Sequence, residues 1–351
     1  MRQKVFILPK AHAVLGRMKK LQFQTAAELA AATPEEVEWV ASPWVAVGAT
    51  TELVGKVKAA GKTTWMLALC RAVIEGRQFL GQQTTKTGVV YLTEQPQSSF
   101  MEALRRADLH ESEDFAILLY HQTVGVTWPQ TVTAAVAECN RRRAGLLAVD
   151  TLPQFARLRG DAENNSGDAL EAVEPLQLAA AESGLAVFYS RHERKRGGTV
   201  GDSGRGSSAF AGAVDVVLSL ARMSGQGRET LRVLKALSRF SETPTELVIE
   251  LMEDGTYKAR GDNRAVQYEE SQHSVLEHLP ASAEDAIEEK ELRELTGQGH
   301  STLHRVLADL RSAGTVERVG KGKKGDAYRF WAARVALAGP KVASLHIEDF
   351  V

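Results

Sequence analysis

The chain has 351 residues, a formal net charge of −1 and 25% charged residues, which leaves room for about two domains and gives no overall field to attract nucleic acid. Any nucleic-acid binding must therefore come from local basic patches. No apolar run reaches the roughly 18 residues of a membrane span, and the N-terminal one is too short for a signal peptide, so we expect a cytoplasmic protein without a membrane anchor.

Residues 1–44 predict a helical lead-in. The stretch QTAAELAAATPEEVEWV places Ala26, Leu29 and Ala30 on one helix face. Thr33 and the Pro-Glu-Glu that follows it have the form of a second helix start.

Residues 45–262 alternate short apolar strands with helices. The strand segments include TTELVG, TGVVYLTEQ, FAILLYH, GLLAVDT and LAVFYSRH. Continuously apolar strands separated by helices predict an α/β fold, a mostly parallel sheet covered on both faces. Toward residue 262 the pattern becomes β-rich and predicts antiparallel strands that finish the same sheet. Cys70 and Cys139 lie in the helical segments, without zinc spacing, and predict small buried thiols.

The C-terminal part has a different pattern. Residues 263–270 are polar and predict a linker. Residues 271–335 predict a helix, a helix-turn-helix and a two-stranded wing, which is the order of a winged-helix domain. Residues 336–351 are left as a C-terminal tail.

The stretch LVGKVKAAGKTT ends like a phosphate-binding loop, but its first glycine lies one residue earlier than in the consensus G-x-x-x-x-G-K-[ST]. A strand before it and an apolar helix after it supply the context that such a loop needs. We expect it to bind ATP with Mg²⁺; the alternative is a chance GKT in an ordinary turn. The candidate binding residues are Gly55, Ala60, Gly61, Lys62, Thr63 and Thr64.

Two carboxylates follow at the ends of later strands. Asp150 ends the apolar strand GLLAVDT in the Walker B form and, with Thr63, is expected to hold Mg²⁺. Glu94 follows the strand after the phosphate loop, where a carboxylate can polarise the water that attacks the γ-phosphate. The alternative for Glu94 is an exposed loop charge.

With GKTT, Glu94, Asp150, His192 and GRGSSAFAGAVDVVLSL in this order, the stretch from about Thr25 to Arg260 resembles the RecA-like ATPases, and within them the RepA-type hexameric helicases of plasmids, phages and mobile elements. The resemblance implies that Lys62 binds phosphate and that His192 senses the γ-phosphate. It also implies a homo-oligomer, a hexameric ring in that family. A RadA-like repair ATPase is a weaker alternative, because the zinc motif of that group is absent from the sequence.

The same resemblance implies that cations of one subunit enter the site of its neighbour, where they would stabilise charge on the transferred phosphoryl group. The candidates are Arg205, Lys235 and Arg239, the last two being four residues apart where relatives have two. The alternative for each is a surface salt bridge.

Two surfaces are candidates for DNA. The glycine-rich segment RHERKRGGTVGDSGRGSS carries basic side chains suited to the phosphates of single-stranded DNA, and in RecA-like rings this position faces the channel. Its candidate residues are Arg194, Lys195 and Arg196. The alternative is an ordinary solvated loop.

The winged helix is the second surface. Ser301 is expected to cap the recognition helix, whose Thr302, His304 and Arg305 would enter a major groove of duplex DNA. The wing tip would contact phosphates through Lys321, Lys323 and Lys324. Winged helices also dock proteins, so this alternative stays open.

These features predict a DNA-dependent, ring-forming ATPase, a helicase of DNA replication or of a mobile element. One alternative is a regulator or defence protein that uses ATP as an assembly switch without unwinding DNA. Another is a P-loop protein that docks partners through its winged helix. Motor and switch differ in whether single-stranded DNA raises ATP turnover.

Overall fold

The structure is a computed structural model and describes residues 23–56, 60–192, 209–223 and 228–333. The chain divides into two compact units, Met1–Glu38 and Trp39–Val351. In the first unit, α1 (Ala26–Ala32) begins at a capping box between Thr25 and Glu28. The second helix start predicted at Thr33 is wrong: residues 33–38 form no helix, although the extended backbone of Thr33 and the proline after it would suit a helix start.

The second unit is built on a large sheet, preceded by a hairpin of β1 (Trp39–Ala41) and β2 (Val45–Ala46). The hairpin's Val40, Trp44 and Val45 lie in the core, so the end of the predicted helical lead-in is β structure instead.

The main sheet has nine strands within the described ranges. They are β3 (Thr50–Gly55), β4 (Gly88–Thr93), β5 (Phe115–Leu119), β6 (Ala144–Asp150), β7 (Ala186–His192), β8 (Val216–Arg222), β9 (Leu231–Ser238), β10 (Glu246–Leu251) and β11 (Tyr257–Gly261). Their spatial order is β11-β10-β9-β8-β3-β7-β6-β4-β5. Pairing is parallel from β8 through β5 and antiparallel from β8 through β11, so the predicted fold class and the antiparallel finish are confirmed.

Helices cover both faces of this sheet. They are α2 (Lys62–Glu75), α3 (Gln97–Arg106), α4 (Trp128–Arg142), α5 (Leu152–Phe155), α6 (Ser166–Ser183) and α7 (Ala209–Ala213). One core packs α2 and α3 on the first face, and a second core packs α4 to α7 on the other. Both cysteines are buried free thiols, as expected, and burial raises the pKa of Cys139 to about 12. Among the helices of the described ranges, none is long and apolar enough to cross a membrane.

The C-terminal module comprises α8 (Asn263–His278), β12 (Ile287–Glu288), α9 (Glu289–Thr296), α10 (His300–Ser312), β13 (Val316–Val319) and β14 (Arg329–Ala332). The three strands form one small sheet in the order β12-β14-β13. A separate core of Val275, Leu292, Leu303, Leu307 and Phe330 joins the helices to this sheet. The elements follow the predicted order, with β12 added to the two strands of the expected wing.

The linker predicted at residues 263–270 is instead the first half of α8. The Asp262 carboxylate caps this helix by accepting the N–H groups of Arg264 and Ala265. Val266 then packs against β9, β10 and Met223, the residue after β8, while Glu270 is also buried. A polar sequence forms a helix here because the aspartate caps it and the antiparallel strands give it a surface to pack on.

Candidate active site

The phosphate loop connects β3 to α2, and its geometry requires glycine at Gly55 and at Gly61. A Cβ atom on Gly55 would lie 2.8 Å from the Ala60 Cβ and 2.8 Å from the Leu220 carbonyl oxygen. Gly61 has φ 81°, in the left-handed region that favours glycine. The longer spacing therefore still has a required glycine at each end, although residues 57–59 lie outside the described ranges.

Lys62 is buried at the carboxyl end of the sheet. Its Nζ donates to the Gly55 carbonyl oxygen at 2.9 Å and lies 3.2 Å from His192 Nδ1. The two side chains meet because β3 and β7 are neighbouring parallel strands with Gly55 opposite His192. The structure thus brings together the predicted phosphate-binding lysine and the predicted γ-phosphate sensor.

Asp150 ends β6 and accepts three hydroxyl groups. Thr63 Oγ1 donates to its Oδ2 at 2.7 Å, Ser190 Oγ to its Oδ1 at 2.5 Å, and the Tyr91 hydroxyl to its Oδ2 at 3.2 Å. Burial, and next the Asp150 charge, raise the pKa of Tyr91, which keeps that hydroxyl protonated as a donor. The predicted Thr63–Asp150 pair is therefore adjacent and fixed.

Glu94 lies beside this pair because β4 and β6 are neighbouring parallel strands whose register places Thr93 opposite Asp150. Its backbone N–H donates to the Asp150 carbonyl oxygen at 2.8 Å, and Thr151 Oγ1 donates to its Oε2 at 2.6 Å. Burial raises the pKa of Glu94; the Thr151 hydrogen bond opposes this shift and the Asp150 charge adds to it. A carboxylate with a raised pKa is better suited to accept a proton near neutral pH.

Several polar residues around these side chains are not predicted from the sequence, among them Tyr91, Gln95, Thr151, Ser190, Arg232 and Tyr257. Gln95 Nε2 donates to Thr63 Oγ1 at 3.2 Å, immediately after Glu94. Ser190 and Tyr91 share one signal: each is a polar side chain that follows apolar residues within a strand ending at the site.

Arg232 of β9 and Tyr257 of β11 support the loop from the antiparallel side. The buried Arg232 donates from Nε to the Ala60 carbonyl oxygen at 3.3 Å. The Tyr257 hydroxyl would lie 3.5 Å from a Cβ on Gly61, and burial raises the pKa of Tyr257 to about 12. Burial lowers the pKa of the Arg232 guanidinium.

Other predicted residues lie apart from this cluster. Thr64 is exposed. Lys235 is exposed on β9 and pairs with Glu246 at 3.1 Å, while Arg239 pairs with Asp215 at 3.2 Å. Asp215 also accepts the N–H of Thr50, at the opposite end of β3 from the phosphate loop. Arg239 therefore lies near the end of β3 opposite the phosphate loop.

The basic residues predicted to contact single-stranded DNA, and one predicted to enter a neighbour's site, lie outside the described ranges. They are Arg194, Lys195, Arg196 and Arg205.

The expected recognition helix α10 begins two residues before the position predicted from its cap. Its N-cap is Gly299, so the prediction that Ser301 caps the helix is wrong: the extended backbone needed at a cap occurs at the glycine. His304 Nδ1 lies 3.8 Å from Glu289 on α9, whereas the Arg305 guanidinium lies 4.6 Å from the Tyr268 ring centroid on α8. The structure thus directs these two side chains toward different helices.

The other residues of the C-terminal module that are predicted to contact DNA are exposed or half-buried. Thr302 is half-buried in the groove between α8 and α10, next to Arg305. The wing-tip lysines are all exposed: Lys321, Lys323 and Lys324.

The comparison with protein families agrees with a P-loop ATPase. A family model described as an AAA domain matches residues 17–198, slightly more than half of the chain. No curated protein has significant sequence similarity to the chain. The crystal structure of the RadB recombinase aligns with 61% of this chain and 91% of its own, at 14% sequence identity and a TM-score of 0.45. With Lys62, Thr63 and Asp150 placed as a phosphate loop requires, the chain belongs to the AAA domain family and is a P-loop ATPase.

Proposed function

We propose that this chain is a DNA-dependent ATPase that hydrolyses ATP at subunit interfaces of a ring and moves on single-stranded DNA, as a RepA-type helicase does. One observation carries the proposal: the ends of β3, β7, β6 and β4 bring Lys62, His192, Asp150 and Glu94 to one edge of the sheet. Ligands of parallel α/β sheets bind at this edge.

The described residues fit a nucleotide with Mg²⁺. The Thr63 hydroxyl and the Asp150 carboxylate are oxygen donors, which Mg²⁺ prefers, and they would hold it together with substrate phosphates. No group of three or more His, Cys, Asp or Glu side chains in the described ranges could hold a metal by itself, which agrees with a site that needs the phosphates. When bound, Mg²⁺ would neutralise charge on the β- and γ-phosphates.

The chain's own groups would bind the phosphates, activate the attacking water and respond to hydrolysis. The N–H groups at the start of α2 and the Lys62 ammonium would hold the phosphates, and that ammonium would leave the Gly55 carbonyl oxygen to do so. Glu94 would accept a proton from the attacking water, while Thr151 fixes the orientation of its carboxylate. His192, beside Lys62, would respond to the loss of the γ-phosphate.

Movement on DNA would depend on the segment after His192 and on contacts between subunits. The segment after His192 contains Arg194, Lys195 and Arg196, so a change at His192 would reach it along the backbone. Arg205, Lys235 and Arg239 are proposed to contact a neighbouring subunit. The salt bridges of Lys235 and Arg239 are exposed, and such pairs are weak enough to exchange partners.

The first test compares ATP turnover with and without single-stranded DNA. Lys62→Ala should remove nucleotide binding, while Lys86→Ala, at an exposed lysine outside the site, should leave it intact. A Lys62→Ala protein that hydrolyses ATP like the wild type would refute the proposed site.

The alternative is an ATP-switched DNA-binding regulator without unwinding activity. The exposed wing lysines and the α8–α10 groove favour it, because they offer the C-terminal module a duplex or protein surface of its own. A switch predicts turnover that single-stranded DNA leaves unchanged and no strand separation in a fork-unwinding assay. Cytoplasmic location stays a prediction under both readings.

A further inference from the structure

Arg232 lies buried beside the phosphate loop without a carboxylate to balance its charge. Its side chain is 7% exposed, and arginine stays protonated in proteins. No carboxylate of the described residues forms an ion pair with it, whereas Arg191, which is also buried, pairs with Glu52. The guanidinium instead donates to three backbone carbonyl oxygens, those of Ala60, Glu229 and Leu231.

An unpaired buried cation points to an anion that binds near it. Buried charges are normally paired or bound to metals, because an isolated ion loses the solvation that water gives it. Carbonyl oxygens satisfy the N–H groups of Arg232 but carry only partial charges. Burial lowers the pKa of the guanidinium, which agrees with a charge that the protein leaves uncompensated. A polyphosphate bound at the neighbouring loop would supply the missing negative charge.

A second group beside the same loop also lacks a partner. The hydroxyl oxygen of Tyr257, on β11, is buried without a hydrogen-bond partner in the structure. It lies 3.5 Å from the place that a Cβ atom of Gly61 would occupy. An unsatisfied buried hydroxyl is unfavourable, and burial, which raises the pKa of Tyr257 to about 12, keeps it protonated as a donor. The cation and this donor therefore both lie beside the start of α2.

The bond from Arg232 to Ala60 also sets the direction of the next N–H group. The Ala60 carbonyl and the Gly61 N–H belong to one peptide group, which is not among the cis peptide bonds of the described residues. In a trans peptide these two groups point in opposite directions. Holding the carbonyl toward β9 therefore directs the Gly61 N–H away from β9, and a cation at the carbonyl strengthens that N–H as a donor.

We propose that Arg232 is a specificity-determining residue, whose buried charge favours a nucleoside triphosphate over a diphosphate at the phosphate site. The inference rests on the nucleotide site of the proposed function, but it requires neither DNA binding nor a ring. A triphosphate carries more negative charge than a diphosphate and gains more from a fixed cation. Two unit charges about 10 Å apart, at an effective dielectric constant of about 20, change an affinity more than tenfold. The Tyr257 hydroxyl gains its missing acceptor when the nucleotide binds.

The test measures the Kd of ADP and of a non-hydrolysable ATP analogue, each with Mg²⁺, and divides the first value by the second. Arg232→Met removes the charge and should lower this ratio at least about fivefold, whereas Arg232→Lys keeps the charge and should keep the ratio within about twofold of wild type. Arg222→Met is the matched control. Arg222 lies opposite Arg232 on β8 but is 53% exposed, so solvent screens its charge and the ratio should stay unchanged.

The ratio separates this role from structural support of the loop. If Arg232 only holds the loop in shape, Arg232→Met weakens both nucleotides equally, and an unchanged ratio would overturn the inference while leaving the nucleotide site intact. A wild type that binds neither nucleotide would overturn both. Arg232→Gln keeps an N–H donor for the Ala60 carbonyl without the charge, so it decides the question if Arg232→Met fails to fold.

Tyr257→Phe tests the second group. Because the hydroxyl has no partner in the free protein, its loss should not lower the urea concentration at which the protein unfolds. The ATP analogue should nevertheless bind at least about threefold more weakly. Unchanged affinity for the analogue would overturn the role of Tyr257 in nucleotide binding.

Discussion

The close approach at Gly55 gives the sharpest test of the phosphate site. Substituting Gly55→Ala adds one methyl group where the Ala60 Cβ and the Leu220 carbonyl oxygen each lie 2.8 Å away and the Lys62 Cγ lies 3.3 Å away. Ordinary carbon contacts are about 3.5–4.0 Å, so the loop and β8 would have to separate by roughly 0.7 Å. Neither the backbone carbonyl nor the short Ala60 side chain can rotate out of the way.

The size of the effect follows from these contacts. Overpacking of this kind costs about 1–3 kcal/mol. The loop can relieve the strain only by moving Ala60 and Lys62, which form the phosphate site, so the cost should appear mainly in nucleotide binding. A loss of 1–3 kcal/mol corresponds to a Kd for ATP about 5- to 150-fold weaker.

The assay is a titration with a fluorescent ATP analogue, together with urea denaturation. Gly212→Ala is the matched control, because a Cβ there meets nothing within 4 Å and α7 should gain up to about 1 kcal/mol from the better helix former. If Gly55→Ala binds the analogue as the wild type does and unfolds at the same urea concentration, the close approach does not shape the site.

Three further predictions concern other parts of the chain. Glu94→Gln should lower kcat at least about a hundredfold and keep nucleotide affinity. Because the base must be deprotonated and burial raises the pKa of Glu94, wild-type turnover should decrease as the pH is lowered through a value above the ordinary carboxyl pKa of about 4.3. A pH profile without this acidic decrease contradicts the role. Arg228→Met leaves the buried Glu270 without its guanidinium and should cost about 1–3 kcal/mol in urea denaturation, whereas Arg222→Met should not. If the wing binds duplex DNA, replacing its three lysines by alanine should reduce the salt dependence of binding by roughly 0.9 in slope per lost phosphate contact, and an unchanged slope refutes this role.

The sequence predicts a site residue best where that residue lies at a strand end or in a recognisable motif. Asp150 is assigned from the end of its strand, because parallel strands place their carboxyl ends at one edge of the sheet. Lys62 is identified by the GKT motif, and the role of His192 comes from the family resemblance. Arg232 and Tyr257 could not be predicted, because they reach the loop from antiparallel strands far along the chain, and only the strand order brings them there.

The C-terminal half shows two further limits of sequence reasoning. The linker prediction failed because polar composition does not exclude a helix: the Asp262 carboxylate caps this one, and Val266 supplies an apolar contact that docks it. At α10, the sequence predicts Ser301 as the cap, yet Gly299 takes that position.

Helix α8 connects the main sheet to the C-terminal module through contacts in both of its halves. Its first half packs on the antiparallel strands through Val266 and through the Arg228–Glu270 pair, and its second half is in the core of the C-terminal module through Val275. Sixteen residues without a break join the two, so the module cannot reorient without disturbing β9 to β11.

Those strands carry Arg232 and Tyr257, which contact the phosphate loop or lie beside it. Occupation of α10 by duplex DNA should therefore change the Kd for ATP, and by linkage ATP should change the affinity for that DNA by the same factor. Titrating a fluorescent ATP analogue with and without saturating duplex DNA measures this factor. Equal values in the wild type would show that α8 joins the two parts without transmitting between them. A difference that Arg228→Met abolishes, while Arg222→Met keeps it, would assign the transmission to the contact between α8 and the sheet.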